Sequence, residues 1–395
     1  MPTNRSAATA LIPVCIQNPK LSMSISAPIG AQLSIHTHHI RHNLLYFRSF
    51  LKPQTKLMAL VKANAYGHGA PELSLFLERE HLADYLGVAF PSEALELRKA
   101  GVSLPILVLT PGMASFSELI DAETYPEIGS PEALALFAEA ARRKATQPVP
   151  FHLALDTGMH RVGFAPEQLP QLLSSLQAYS HIQPLSVFSH LAAADETQHD
   201  AFTLGQIALF EQMTTQICAA LPQRPLLHLL NSPGTERFPQ AQFDMVRVGI
   251  GMYGTSAVDQ SKLKHPSSLL CPIIQIKEVP TGETVGYGRH GKVPQNSKTI
   301  ATLPIGYADG VDRHLGRGVG KFMVNGHLAP TIGNICMDMC MIDVTGIPAA
   351  PGNTVTLFGA APTALDWAAE LGTISYEIYT SIAPRVKRVF VDAQP

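Results

Sequence analysis

The chain predicts an α/β fold, a (β/α)8 TIM barrel followed by a C-terminal mainly-β domain, and two observations carry that prediction. From residue 57 onward, eight short apolar runs recur, each separated from the next by a helical stretch. After about residue 265 that period gives way to short strands with turn chemistry, and helical patterning nearly vanishes until 363–371. Fully apolar strands alternating with helices signal a parallel sheet covered on its outside, and eight such units are the count of a closed barrel. The division expected is an extension over 1–30, a barrel domain over 31–265 and a β-strand domain over 266–395.

The runs are LMALV (57–61), YLGVAF (85–90), PILVLT (105–110), a weaker YPEIG (125–129), FHLALD (151–156), LSVFSH (185–190), LLHLLN (226–231) and MVRVGI (245–250). Helices between them carry ordinary start signals, as where Ser130 precedes Pro131 and Glu132, a serine N-cap before a proline at the first helical position. The longest helix, near 197–220, sets Ile207, Phe210, Met213, Ile217 and Ala220 on one face, which should pack against the barrel. Beyond residue 265, CPIIQIKEVP with TGETVGYG around Thr281-Gly282 reads as one hairpin, and KFMV-NG-HLAP around Asn325-Gly326 as a second with a type I′ turn.

Composition narrows the function. The 395 residues are 46% hydrophobic and 15% charged, well under the usual charged share of about 25%, which excludes disorder for most of the chain. No run of about 18 apolar residues suggests a membrane span. A formal charge of −2 supplies no basic stripe for nucleic acid or an anionic membrane, so the expected partner is a small molecule. Five cysteines are too few and odd in number for a disulfide framework, which points to a reducing, cytoplasmic location. Cys336 and Cys340 lack the spacing of a zinc site, and HTHHIRH (36–42) reads as a solvated helix face rather than a metal site. No metal is expected. The opening residues are a poor secretory signal and read as a floppy extension.

Active sites of such barrels lie at the C-terminal ends of the strands, so polar residues that end apolar runs carry the most weight. Lys62 closes LMALV, Asp156 and Arg161 follow FHLAL, His190 ends LSVFSH, Asn231-Ser232 end LLHLL, and Arg247 interrupts MVRVGI. A lysine directly after five apolar residues either snorkels to the rim or sits desolvated, where its pKa falls and the amine becomes a nucleophile.

The run from Val61 to Gly69, V-K-A-N-A-Y-G-H-G, resembles the pyridoxal-phosphate lysine motif of alanine racemases. The resemblance extends through LDTGMHRVGF (155–164), SHLAAAD (189–195), NS (231–232), MVRVGIGMYG (245–254), VGYG (285–288), IGYADG (305–310), GNICMD (333–338) and YEI (376–378). It covers roughly residues 32 to 390 in the family's order, and that ordered set is far more specific than any single motif. It implies a pyridoxal 5′-phosphate (PLP) enzyme of fold-type III, a homodimer with shared active sites, that interconverts L- and D-alanine and supplies D-alanine for peptidoglycan.

By the same resemblance, Lys62 carries PLP covalently and acts as one base, and Tyr307 from the partner copy is the other. A racemase removes a proton from one face of Cα and returns one to the opposite face, which two flanking acid/base groups accomplish most simply. His190 matches a histidine that tunes the catalytic tyrosine, although a strand-end histidine is also compatible with a satisfied core residue. Arg247 matches the arginine facing the pyridine nitrogen; a guanidinium keeps its protons and weakens the electron sink, and a buried salt bridge is the competing reading. Phosphate contacts are implied for Tyr66, Ser232 and the backbone of Gly249 and Ile250. Arg161 is implied to touch the cofactor's phenolic oxygen and the substrate carboxylate, with the Met337 backbone N–H of the partner copy as the second carboxylate contact and Tyr287 as a further substrate-binding residue. Asp338 is either electrostatic or a turn former.

Three positions depart from the pattern. Ala154 stands where many members carry a carbamylated lysine that braces the arginine matching Arg161, so either another anion neutralises Arg161 or its orientation is looser. Asn334 replaces an arginine, which should make the substrate's approach less positive. Pro384 stands where most members have a tyrosine, so a broader amino-acid racemase, accepting for example serine, is the main rival reading. A non-catalytic PLP carrier would share the barrel alone, and a barrel-type decarboxylase would want a carboxylate rather than Arg247 at the ring nitrogen.

Overall fold

The computed structural model describes residues 30–144 and 146–392. The extension expected over 1–30 therefore lies, apart from Gly30, outside the described residues. The first strand, β1 (Gln32–His36), runs into a helix, Thr37–Arg48. Eight strands then close into a barrel in chain order: β2 (Lys56–Leu60), β3 (Tyr85–Val88), β4 (Ile106–Val108), β5 (Tyr125–Ile128), β6 (Val149–Ala154), β7 (Ile182–Phe188), β8 (Leu226–His228) and β9 (Met245–Val248). Closure is made by β9 lying parallel to β2, with Met58 opposite Arg247.

All eight apolar runs form these strands, and the helices bury the faces their spacing dictates. Helix Pro131–Lys144 buries Leu134, Phe137, Ala138 and Ala141, an i, i+3, i+4, i+7 stripe, and Ser130 Oγ accepts the Ala133 N–H at 3.1 Å as an N-cap should. Helix Asp200–Ala220 buries Ile207, Phe210, Met213 and Ile217. In the histidine-rich start, His36 ends β1, the helix begins at Thr37, and His38 and His42 are exposed while Ile40 and Asn43 are buried. The weak run YPEIG is a genuine barrel strand despite Pro126 and Glu127, both of which are buried. Its weakness in sequence comes from carrying a charge into the barrel.

Past the barrel lies the mainly-β region. A six-stranded sheet runs β16-β15-β18-β10-β1-β19, built from β10 (Ser267–Pro272), β15 (Lys321–Val324), β16 (His327–Pro330), β18 (Thr354–Phe358) and β19 (Lys387–Val391) around β1. Thus β1, which precedes the barrel, sits between β10 (antiparallel) and β19 (parallel). Asn325 and Gly326 have φ of 47° and 83°, both left-handed as a type I′ turn requires, and they join β15 to β16 as expected.

The other expected hairpin does not form. Strand β11 (Gln275–Val279) pairs with β14 (Lys298–Leu303), and β14 pairs in turn with β17 (Cys340–Asp343). The segment after Thr281-Gly282 instead makes a small ribbon of β12 (Thr284–Val285) with β13 (Gly291–Lys292). A local turn signal was outcompeted by a longer ladder, five register pairs against two, since each added pair buries more surface.

Candidate active site

At the C-terminal mouth of the barrel lies a cavity of about 470 Å³. Lys62, Tyr66, Arg161, His190, Ser232, Arg247, Gly249 and Ile250, the cofactor and catalytic residues expected within one chain, all line it, together with Ala154. All but Arg247, which lies within β9, follow or end a barrel strand, where the chain leaves the apolar ladder.

Lys62 opens a turn with unusual backbone. Ala63, Asn64, Ala65 and Tyr66 all have φ between 51° and 54°, a left-handed run that costs L-residues about 1–2 kcal/mol each. Neighbouring groups hold it: the Ala63 N–H donates to Glu93 Oε1 at 2.6 Å, and Asn64 Oδ1 accepts the Ala70 N–H at 2.8 Å. The turn ends at Gly67, φ 81°, where a Cβ would meet the Tyr379 carbonyl at 2.1 Å. Such strain persists only where surroundings over-determine it, and here it points the lysine into the cavity. Burial, then the nearby Arg161, lowers the Lys62 pKa, with Glu93 opposing. An amine so placed is a better base and nucleophile at neutral pH than an exposed lysine.

Arg247 lies fully in the barrel interior. Its Nη1 donates to His228 Nδ1 at 2.8 Å and the His228 carbonyl at 3.1 Å; its Nη2 donates to the carbonyls of Ser189 at 2.6 Å and Leu229 at 2.9 Å and to His190 Nδ1 at 3.3 Å. Among the described residues no carboxylate pairs directly with Arg247; the guanidinium is held by carbonyls and imidazoles. Burial lowers its pKa to about 10, with Glu127 opposing that shift, so it remains a cation near neutrality. His190 accepts at Nδ1, and burial, then Arg247, pushes its pKa down to about 3. A neutral imidazole with Nδ1 accepting carries its proton on Nε2.

Past the end of the neighbouring strand β8, Ser232 Oγ accepts the N–H groups of Gly249 at 3.0 Å and Gly251 at 3.2 Å, leaving its hydroxyl proton to donate elsewhere. Gly249 is required by space, since a Cβ there would stand 2.8 Å from the Tyr66 hydroxyl. The Tyr66 ring packs against that of Tyr253, 4.5 Å between centroids and tilted by 30°, and Tyr253 donates to the Leu60 carbonyl at 3.0 Å.

The expected partner-supplied residues, Tyr307 and Met337, and the expected substrate residue Tyr287 are not in this cavity. Tyr287, Tyr307 and Met337 are 73%, 43% and 54% exposed, and they cluster on the β domain: the Tyr307 N–H donates to the Cys336 carbonyl at 3.0 Å, and Asn334 Nδ2 donates to the Tyr287 carbonyl at 2.9 Å. Asp338 pairs with Arg385 at 2.7 Å, so it has an electrostatic partner. The arginine absent at 334 is offset locally, because Arg317 Nε donates to Asn334 Oδ1 at 2.8 Å. Pro384 is exposed and does not line the cavity. Among the described residues no cluster of metal-ligating side chains forms, and no helix is long and apolar enough to cross a membrane.

Among the cavity residues given no role by the sequence reading are Tyr376 and Glu127. Tyr376, within YEI, reaches the cavity from the β domain, its ring 5.8 Å from that of Tyr66. Glu127 lies on β5 and is 6% exposed. The signal for Glu127 was present, an acidic residue inside an otherwise apolar barrel strand, whereas Tyr376 was marked only as part of the YEI run and was given no role.

The comparisons with known proteins agree with this arrangement. A family profile described as alanine racemase, N-terminal domain, matches residues 35–257, and one described as alanine racemase, C-terminal domain, matches 267–390. An alanine racemase of Desulfovibrio desulfuricans is 36% identical over 94% of this chain and 100% of its own length. Alanine racemase 1 of Clostridium acetobutylicum is 37% identical over 92% and 95%. Among solved structures, alanine racemase of Clostridium difficile superposes with a TM-score of 0.87 at 32% identity, covering 92% of this chain and 96% of that one. That of Bacillus anthracis gives 0.84 at 30% identity, covering 91% and 95%.

Proposed function

The chain belongs to the alanine racemase family and is an isomerase, and from that premise we propose that it interconverts L- and D-alanine with PLP by a two-base mechanism. The observation that carries the proposal is Lys62: a desolvated amine with lowered pKa, aimed by a strained turn into a cavity that also holds Arg161, His190 and Arg247. The residues present fit the cofactor. Ser232 keeps a hydroxyl proton free, Tyr66 brings a second hydroxyl to the same wall, and Gly249 leaves room there that a side chain would fill. With its Nη groups committed, Arg247 has its Nε–H left for the ring nitrogen, and a donor that keeps its proton leaves that nitrogen unprotonated.

When bound, PLP supplies a sink for the electron pair left on Cα as its proton departs. Lys62 takes or returns that proton on one face, and Tyr307 of the partner subunit serves the other. The exposure of Tyr307, Met337 and Tyr287, and their separation from the cavity of their own chain, support a homodimer in which each copy completes the other's site. Arg161 at the rim holds the substrate carboxylate, helped by Met337 and Tyr287 of the partner subunit. His190 offers its Nε2–H to the tyrosine. The product role is D-alanine for peptidoglycan, made in the cytoplasm. A wider substrate range is favoured by one specific feature: Ala154 lines the cavity where the family resemblance would set a lysine.

The test is direct. Purified, PLP-loaded protein is incubated with L-alanine and the enantiomers are separated by chiral chromatography. D-Alanine should accumulate at catalytic turnover and vanish in Lys62→Ala. L-Alanine left unchanged by PLP-loaded protein would refute the activity.

A further inference from the structure

A chain of buried hydrogen bonds crosses the barrel beneath the cavity and ends with one donor and one acceptor unpaired. Arg247 only donates, so His228 Nδ1, 2.8 Å from Nη1, accepts. Burial, then Arg247, holds His228 neutral, so its proton is on Nε2 and is donated to Ser186 Oγ at 2.8 Å. Ser186 has one proton to give, and it goes to His152 Nδ1 at 2.5 Å. Burial, then Arg247, pushes the His152 pKa down to about 3, so this imidazole is neutral too and its proton is on Nε2. These tautomers are assigned from the direction of the network. Among the described residues, His152 Nε2 has no hydrogen-bond partner, and neither has Glu127 Oε1. The two residues are register partners across β5 and β6, and both are buried.

We propose that Glu127 is the terminal acceptor of this chain and, once ionised, the counter-charge of Arg247: a positioning residue that takes the His152 Nε2–H, directly or through one water, and so fixes the arginine at the cavity floor. Buried polar groups are nearly always paired, and these two atoms are each other's complement in sign and in register. The link to the cofactor ring rests on the reading of Arg247 given above; the hydrogen-bond chain itself does not.

The surroundings of Glu127 are consistent with an acid that works near neutrality. Strand β4 presents apolar Leu107 and Val108, and β6 presents His152. The rings of Tyr85 and Tyr125 pack edge-on against His152. Arg161 and Arg247 are the cations that face Glu127, and they partly offset the burial that pushes its carboxyl up to about 8. The carboxylate therefore appears as pH rises through that region, strengthening the acceptor at the end of the chain and the hold on Arg247.

The test uses histidine labelled with 15N in the intact protein, with and without PLP, together with Glu127→Gln. The expected result is the Nε2–H tautomer for both His152 and His228, and a step in kcat near pH 8 that is absent in Glu127→Gln while the KM for alanine changes less than about twofold. His152 carrying its proton on Nδ1, or Glu127→Gln tracing the wild-type pH profile, would overturn the proposal. The tautomer measurement needs no substitution, so a His152 proton on Nδ1 would overturn the proposal even if Glu127→Gln fails to fold. It is equally independent of turnover: an inactive wild type would sink the racemase reading and leave the tautomer result standing.

Discussion

Gly249→Ala tests whether the wall formed by Tyr66, Ser232 and Gly249 is a cofactor cradle. The added Cβ would lie 2.8 Å from the Tyr66 hydroxyl, where ordinary contact begins at 3.4 Å. One of the two must move by about 0.6 Å, and Tyr66 is confined by the ring of Tyr253 at 4.5 Å. Overpacking of this size costs about 1–3 kcal/mol. Part of it falls on the apo fold and part on PLP binding, where each 1.4 kcal/mol is about tenfold in Kd. The assays are thermal melting of the apo protein and PLP titration by absorbance. Adding Tyr66→Phe removes the clashing oxygen, so the double variant should recover its melting temperature, yet still bind PLP more weakly if that hydroxyl contacts the phosphate. Gly205, on the exposed side of helix Asp200–Ala220 with open space around its Cα, is the control: alanine there should stabilise by about 0.5–1 kcal/mol. Unchanged melting and unchanged PLP affinity in Gly249→Ala would refute the cradle.

Three further outcomes are expected. Lys62→Ala and Tyr307→Phe, each inactive alone, should regain partial activity on co-expression, since a mixed dimer holds one intact site; no complementation with mixed dimers verified by mass would mean that both bases come from one chain. L-Serine should be racemised at a measurable rate, and strict rejection in the chiral assay would remove the broader-specificity reading. Stability should fall on acidification from pH 7 towards 4: His68, His152 and His190 are held at about 4, 3 and 3 against an ordinary 6.5, so the unfolded chain binds protons in that window that the native state does not. Glu127 works in the opposite sense, its raised carboxyl removing stability as pH climbs from 4.5 to about 8. His68→Gln should flatten the melting-temperature profile below pH 6.5, and an unaltered slope would count against the buried, neutral state of His68.

The barrel was legible because its signal is redundant: eight apolar runs, each long enough to identify, and helices whose buried stripes follow from spacing. The residues ending those runs, Lys62 and His190 among them, reach one cavity because a parallel barrel brings every strand end to the same rim. What sequence could not supply was partnership at a distance. Strand β11 chose β14 over its near neighbour, and Tyr376 arrived at the cavity from 310 residues beyond Tyr66 in the chain. The role of Glu127 depends on its register with His152, and register is invisible until strands are paired.

The place of β1 bears on how the protein is made. Its two neighbours are β10, where Gln32 faces Leu270, and β19, where Gln32 faces Lys387. A ribosome delivers the first strand long before either neighbour exists, so both its edges are unpaired while the whole barrel is being synthesised, and contacts of such sequence separation form slowly. Only the final strand, ending at Val391, covers the second edge. Folding of the β domain therefore waits until β19 has been translated, and a nascent chain stalled before residue 387 would carry a complete barrel with an open, adhesive edge strand beside it.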